Sequence, residues 1–356
     1  MKRFFECLIP NTICNLKCSY CYIIQENRRA MQASSFKYSV DHMIQGLTEE
    51  RLNGQCYFSL CGAGETLVQD EVTDLVKGLL ENGHFVNLTT NGTLSKKFDL
   101  LIEKCKPYIS HLHISFSFHY LELQRLNLLE TFFANVKKMR ESGASVLVQM
   151  NLCDEYIERL DEIKDICIDK IGAYPQLALT RDESTFPMKI MTKYSDEEYY
   201  SYGKKFNSPL FDFTYKNFNQ KRKEFCYAGD WSGLINFETG VLTKCYSNPE
   251  GSQDIFEDIS KPINFEAVGK NCHNCYCINS SHFLSLGVIP SLKNIPSYAD
   301  LRNRKEACWY SDEMLDFLNA KLYKSNKKYG IIKKIFYYNS FFRKVRIKLN
   351  LIFNKK

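Results

Sequence analysis

The chain has 356 residues, 44% hydrophobic and 25% charged. That is an ordinary globular composition, sufficient for one large domain or two modest ones. Fifteen cysteines are too dilute for a disulfide scaffold, and no stretch reaches the ~18 apolar residues of a membrane span. The net charge of +6 belongs to the tail: 317–356 holds 12 Lys or Arg and no acid, leaving 35 basic against 41 acidic residues, or −6, in the body. Free cysteines with no export signal in Met1–Pro10 point to a reducing cytoplasm.

Elements follow in regular alternation. Phe4–Ile9 reads as a strand, Tyr38–Leu52 as a helix and Cys56–Leu60 as a buried strand. Val68, Val72, Leu75, Val76, Leu79 and Leu80 recur at helical spacing, and Gly83 follows as a stop. Strands at Phe85–Thr89, His111–Phe118, Ser145–Leu152 and Tyr174–Thr180 alternate with helices at Lys96–Cys105, from Leu126 through Val136, and at Glu155–Asp169. Six βα repeats argue for parallel strands with right-handed crossovers. They are too few for a closed eight-stranded barrel, so the expected fold is α/β, a partial (β/α)6 barrel. Beyond it, Ser195-Asp-Glu-Glu198 predicts a capping box opening a Tyr-rich helix.

The densest chemical signal is Cys14-Asn-Leu-Lys-Cys18-Ser-Tyr-Cys21. Three thiolates on one loop hold three irons of a cubane and leave the fourth open, whereas a structural zinc or an electron carrier normally takes four protein ligands. A zinc knuckle is the competing reading, but no His lies in the first forty residues. This CxxxCxxC motif, with Tyr20 before its last Cys, resembles that of the radical S-adenosylmethionine (radical SAM) enzymes. The resemblance implies a 4Fe–4S cluster on Cys14, Cys18 and Cys21, with S-adenosylmethionine on the open iron at the C-terminal ends of the strands.

Gly62-Ala-Gly-Glu65 is similar to the family's Gly-Gly-Glu turn after the second strand. The carry-over assigns cofactor contact to Gly62, Gly64 and Glu65, the last pairing with the S-adenosylmethionine ammonium. Ala63 and Thr66 depart from the pattern. Thr89, Thr90 and Asn91 match the family's Thr-Asn-Gly turn, with packing as the alternative role. Ser115, Ser117 and Asn151, at or near strand ends, are further candidate cofactor contacts. Ser117 stands where relatives often have Asp, and Asn151 also suits a strand-end cap. His111 and His113 face one side of their strand but lack companion ligands. His119, at the strand's end, is the better candidate to touch substrate.

A second cysteine set comprises Cys226, Cys245, Cys272, Cys275 and Cys277, with Gly240 turning a hairpin between the first two. It resembles the shortened, twitch form of the SPASM auxiliary region. The resemblance implies one auxiliary 4Fe–4S cluster on Cys226, Cys245, Cys272 and Cys275, with Cys277 an alternative to Cys275. A zinc ribbon on the same thiolates is the bland alternative. Any of Cys61, Cys153 and Cys277 left unligated is a candidate hydrogen-atom donor, against the commoner role of small buried hydrophobe. The organisation expected is a radical SAM core at 1–185, a helical connector at 186–225, an auxiliary-cluster domain at 226–290 and a C-terminal helical region with its basic tail at 291–356.

In the tail, Ile331, Ile335, Tyr338, Phe342, Val345, Leu349 and Ile352 recur at spacings of three and four, with Lys and Arg on other faces. This suits an anionic membrane surface, or an apolar face docked on the body; nucleic acid is the least favoured partner. The function expected is hydrogen abstraction from a substrate carbon, leading to epimerisation, dehydrogenation or cross-linking. The tail favours a sugar or lipid-linked saccharide of envelope or polysaccharide synthesis. A peptide substrate is the alternative, although the stretch before Cys14 leaves no room for a leader-binding domain. The implied electron donor is of flavodoxin or ferredoxin type, and the place of action the cytoplasm, peripheral at the inner membrane face if the tail binds lipid. An electron-transfer or scaffold protein is the reading from another class, and Glu65 speaks against it.

Overall fold

The computed structural model describes all residues except 31–33, 247, 249, 271, 273, 275, 336 and 338–356. Six strands form the frame: β1 (Arg3–Ile9), β2 (Cys56–Gly62), β3 (Phe85–Thr90), β4 (Leu112–Ser117), β5 (Ser145–Leu152) and β6 (Gln176–Leu179). They pair in chain order, all parallel. A short two-stranded ribbon follows, β7 (Arg181–Asp182) with β8 (Lys189–Ile190). The sheet continues with β9 (Ser232–Asn236), β10 (Val241–Thr243) and β11 (Gln253–Asp254).

The full order is β11-β10-β9-β1-β2-β3-β4-β5-β6. β9 lies parallel to the outer edge of β1, the edge a closed barrel would give to β6. The six-unit barrel is therefore open. The strands of the Cys-rich segment continue the core sheet instead of forming a sheet of their own. Gly240 turns the β9–β10 hairpin at φ +77°, a left-handed conformation that a Cβ would strain.

Apolar strand and helix faces make the core. The helix Val72–Glu81 buries Val72, Leu75, Val76, Leu79 and Leu80 completely, each such side chain contributing about 1.5–3 kcal/mol. Local capping moved several expected boundaries. The stretch from Tyr38 to Leu52 is two short helices, Val40–Gln45 and Glu49–Leu52. Ser39 caps the first, and Thr48 accepts from Arg51 N–H to start the second. The helix expected from Leu126 begins at Leu129, after a separate turn Tyr120–Arg125. Asn127, at φ 56°, divides them. The Ser195–Glu198 capping box is present.

Of the tail, Ile331–Ile335 is helical, with Ile331 and Ile332 exposed. Tyr337 is buried, its ring centroid 5.5 Å from that of Phe225. Tyr338 and the remaining apolar positions of the expected amphipathic helix lie outside the described residues. Among the described residues no helix is long and apolar enough to cross a membrane.

Candidate active site

Parallel strands leave their C-terminal ends and the loops beyond them on one side of the sheet, the usual place for ligands in α/β folds. Here that side holds a cavity of about 460 Å³. Cys14, Cys18 and Cys21 line it, as do Gly62, Gly64, Glu65, Asn91, Ser115, Ser117 and Asn151. The structure thus gathers every cofactor-contact candidate of the sequence around one space.

The cysteine loop is fastened from several sides. The Asn11 side-chain oxygen accepts from Ile13 N–H at 2.8 Å, and its amide donates to the Glu65 carbonyl at 2.5 Å. Gly64 N–H donates to the Asn11 carbonyl at 2.6 Å, and Glu65 N–H to that of Ile13 at 2.7 Å. Backbones approach so closely that a Cβ on Gly64 would lie 2.0 Å from the Ile13 carbonyl oxygen. Lower in the loop, Lys17 N–H donates to Glu122 and Ser19 Oγ to Glu155, at 2.7 and 2.6 Å.

Glu65 is buried, and three donors converge on its carboxylate. Oε1 accepts from Leu67 N–H at 3.0 Å and from Thr90 Oγ1 at 2.7 Å; Oε2 accepts from Asn91 N–H at 2.7 Å. Burial raises its pKa and the three hydrogen bonds oppose the rise. A carboxylate offers about four lone-pair sites, so capacity remains on Oε2 for an ammonium. Asn91 donates to Asn15 Oδ1 at 2.7 Å and reaches Cys14 Sγ at 3.7 Å. Thr90 and Asn91 therefore join the Glu65 turn to the cysteine loop, a positioning role alongside lining the cavity.

The side chains fit a cluster held by three thiolates. Cys14, Cys18 and Cys21 face one cavity, and burial, followed by the neighbouring Cys14 and Cys21, pushes the Cys18 thiol far up. Cys14 and Cys18 thus resist ionising by themselves, and a bound metal cation would favour their thiolates. Among the described residues no three Cys, His, Asp or Glu side chains close on a single ion.

Of the three histidines, His113 is a core residue, its Nδ1 2.8 Å from Tyr57 Oη and its pKa lowered by burial to about 3. His111 pairs with Glu313 at 2.7 Å. His119 does line the cavity, but its Nδ1 lies 2.8 Å from Tyr20 Oη, which is itself 3.1 Å from Tyr156 Oη. It braces the aromatic of the cysteine loop. Burial lowers its pKa to about 4, so the ring is neutral.

The candidate hydrogen donors separate. Cys61 lines the cavity, and burial lifts its thiol to about 12, keeping the S–H. Cys153 is not among the cavity-lining residues; its Sγ lies 3.8 Å from Glu155 Oε2. Cys277 belongs to a second, smaller cavity together with Cys226, Cys245 and Cys272. Cys275 lies outside the described residues. Tyr246, Ile278 and Asn279 line both cavities, so one layer of side chains divides them.

Sequence reading missed the floor of the main cavity. Strand register sets Glu6 beside Ser59 and Ser59 beside Asn87. Asn87 donates to Ser59 Oγ at 3.1 Å and accepts from Ser115 Oγ at 2.7 Å. Glu6 also accepts from Asn279 Nδ2, and His282 and Arg302 line the same space. The available signal was an acid in the middle of the otherwise apolar run Phe4–Ile9 of β1, costly unless it has partners or a task.

Comparison with known proteins agrees with this geometry. Residues 8–167 match the radical SAM superfamily. Those residues hold the cysteine loop and β2 to β5, so this part of the chain carries a radical SAM domain. A curated protein of Methanocaldococcus jannaschii, provisionally named a glycyl-radical enzyme activating enzyme, is 33% identical over 79 residues; the match spans 22% of this chain and 28% of that relative. Streptococcus suis SuiB bound to its precursor peptide SuiA is 17% identical at a TM-score of 0.50, over 89% of this chain and 74% of that one. The enzyme anSMEcpe with bound AdoMet and Cp18Cys peptide is 16% identical at 0.50, over 98% and 99%. At these identities the likeness to the two structures speaks for the fold.

Proposed function

We propose that this enzyme abstracts a hydrogen atom from a carbon of a small polar substrate, of saccharide type, and uses an auxiliary iron–sulfur cluster beside the substrate. A cluster on three thiolates supplies, when bound with S-adenosylmethionine, the electron that yields a 5′-deoxyadenosyl radical. Cys14, Cys18 and Cys21 would hold that cluster. Glu65 would take the ammonium of S-adenosylmethionine, and Ser115, Ser117 and Asn151 would line its path into the barrel. The observation that carries the reading is the single cavity, with the three cysteines and Glu65 around it and a hydrogen-bonding floor beneath.

Cys226, Cys245, Cys272 and Cys277 would hold the auxiliary cluster, because these four thiols border one small cavity. Cys61 is the best placed hydrogen donor, since its protonated thiol faces the main cavity. Donation to a substrate radical from the face opposite abstraction would give epimerisation. The electron that restores the thiol would then come by way of the flavodoxin- or ferredoxin-type donor, and the proton from water. Peptide modification is the second reading, as SuiB and anSMEcpe are each described with a peptide. The polar floor, suited to hydroxyl groups, favours the first. An exposed basic tail start at Ile331–Ile335 fits action near an anionic membrane surface.

Anaerobic reconstitution tests this reading. We expect about eight irons per chain, from two four-iron clusters, and 5′-deoxyadenosine from S-adenosylmethionine with dithionite. Cleavage should vanish in a triple Cys14, Cys18, Cys21→Ala variant. A cluster-loaded protein that yields no 5′-deoxyadenosine, with or without saccharide or peptide substrates, would return the chain to the electron-transfer class.

A further inference from the structure

Arg302 is a buried cation whose charge acts on Glu6 without an ion pair between them. It is 2% exposed and lines the main cavity. Its guanidinium lies 3.8 Å from the centre of the Tyr298 ring. Among the described residues its side-chain hydrogen bonds are long and reach Ser281 alone, the carbonyl at 3.4 Å and Oγ at 3.3 Å. Among the described residues no carboxylate forms an ion pair with it. A guanidinium carries five N–H donors, and burying one with most of them unused is costly unless a ligand completes the set.

Across the same floor stands Glu6. Its Oε1 accepts from Asn279 Nδ2 and lies 3.8 Å from His282 Nδ1. Its Oε2 accepts no hydrogen bond from a described residue. Ser59 borders it through the strand register, and Asn87 borders Ser59 in turn. A planar fork that prefers two oxygens of one anionic group therefore shares a floor with a carboxyl and an amide suited to hydroxyls. This combination is what a hydroxylated anion requires and what a purely apolar or cationic substrate would find hostile.

We infer that the cavity floor is a substrate subsite for a small, hydroxyl-bearing compound with an anionic oxygen group, Arg302 taking the carboxylate or phosphate and Glu6 with Asn279 a neighbouring hydroxyl. The assignment rests on the saccharide reading of the main cavity and narrows it to acidic or phosphorylated saccharides. Arg302 is then a specificity-determining residue.

The test is calorimetric binding to the reconstituted enzyme with S-adenosylmethionine present, using D-glucose, D-glucuronate and D-glucose 6-phosphate as probes. At least one anionic probe should bind about tenfold or more tightly than glucose, and the ratio should collapse in Arg302→Gln. Arg302→Lys, which keeps the charge and loses the fork, should retain part of it. The better anionic probe tells whether carboxylate or phosphate is the preferred source of the oxyanion. Equal binding of all three probes by the unaltered enzyme, or no binding of any at millimolar concentration, overturns the subsite. So does anion preference that persists in Arg302→Gln. Should that variant fail to fold, the unaltered enzyme's discrimination and the Lys variant decide. 5′-Deoxyadenosine release is scored on the same preparation. Release without probe discrimination sinks the subsite alone, whereas discrimination without release sinks the hydrogen-abstraction reading alone.

Discussion

The carboxylate of Glu65 accepts a 2.7 Å hydrogen bond from the backbone N–H of Asn91, so a single side chain ties the turn after β2 to the end of β3. Asn91 extends the connection to Cys14. The residue proposed to hold the ammonium of S-adenosylmethionine is thus also a brace for the cysteine loop. Glu65→Ala leaves three buried donors, on Leu67, Thr90 and Asn91, without their acceptor. It should cost about 2–4 kcal/mol of stability and weaken S-adenosylmethionine binding by about tenfold or more. Denaturant titration and equilibrium dialysis measure the two losses. Wild-type affinity in the variant would remove Glu65 from the ligand site.

Gly64 tests the loop from the backbone side. A Cβ there would sit 2.0 Å from the Ile13 carbonyl oxygen, backbone against backbone, with no flexible side chain to yield. Gly64→Ala should displace the cysteine loop and lower iron bound at the N-terminal site by more than half, with the circular dichroism of the barrel kept. Gly330, which has no described residue within 4 Å of a Cβ, supplies the control: Gly330→Ala should load iron normally. Full iron loading in Gly64→Ala would show that the loop can move aside.

Local signals carried most of what the sequence disclosed. The three cysteines sit within eight residues, and the Glu65 turn follows a strand that its own composition declares. The six parallel strands were legible because each is an apolar run between helix periods. Boundaries slipped where a cap or a left-handed residue overrode periodicity, as at Thr48 and Asn127. The floor was illegible for a different reason. Glu6 and Asn279 meet across 273 positions, and no spacing rule reports a contact made only after the C-terminal segment packs against the barrel. The sorting of Cys61 from Cys153 and Cys277 needed coordinates as well, since sequence says that a thiol exists and not which cavity it faces.

The fourth auxiliary ligand separates by substitution. Cys226, Cys245, Cys272 and Cys277 border one cavity, and the neighbouring thiols Cys277, Cys245 and Cys272 each add to the upward push that burial gives Cys226. Cys277→Ala should therefore remove about four of the irons from the reconstituted protein, and Cys275→Ala, at a position outside the described residues, is the comparison. Iron assay with electron paramagnetic resonance of the reduced samples distinguishes the two. Loss in Cys275→Ala with retention in Cys277→Ala would reverse the assignment and free Cys277 to act as a hydrogen donor.

Glu6 gives the fold a pH signature. Burial lifts its carboxyl to about 8, opposed by the charge of Arg302 and by the Asn279 hydrogen bond. His282, Cys7, Cys61, Tyr246 and Tyr298 also face it electrostatically. Burial keeps His282 neutral, and the thiols and phenols named here are shifted upward, so across this range Glu6 is the member of the group that titrates. A carboxyl whose folded-state pKa is raised binds its proton more tightly when folded than when unfolded. Its contribution to stability is complete below the unfolded value of 4.5 and is lost as pH climbs through about 8, with a slope of at most about 1.4 kcal/mol per pH unit. Glu6→Gln keeps the shape and cannot ionise. Denaturant midpoints between pH 5 and 8.5 should therefore fall less steeply for Glu6→Gln than for the unaltered protein, the two curves differing most at the alkaline end. Parallel curves would mean that Glu6 is already ionised in the folded protein at neutral pH, held by Arg302 across the cavity floor.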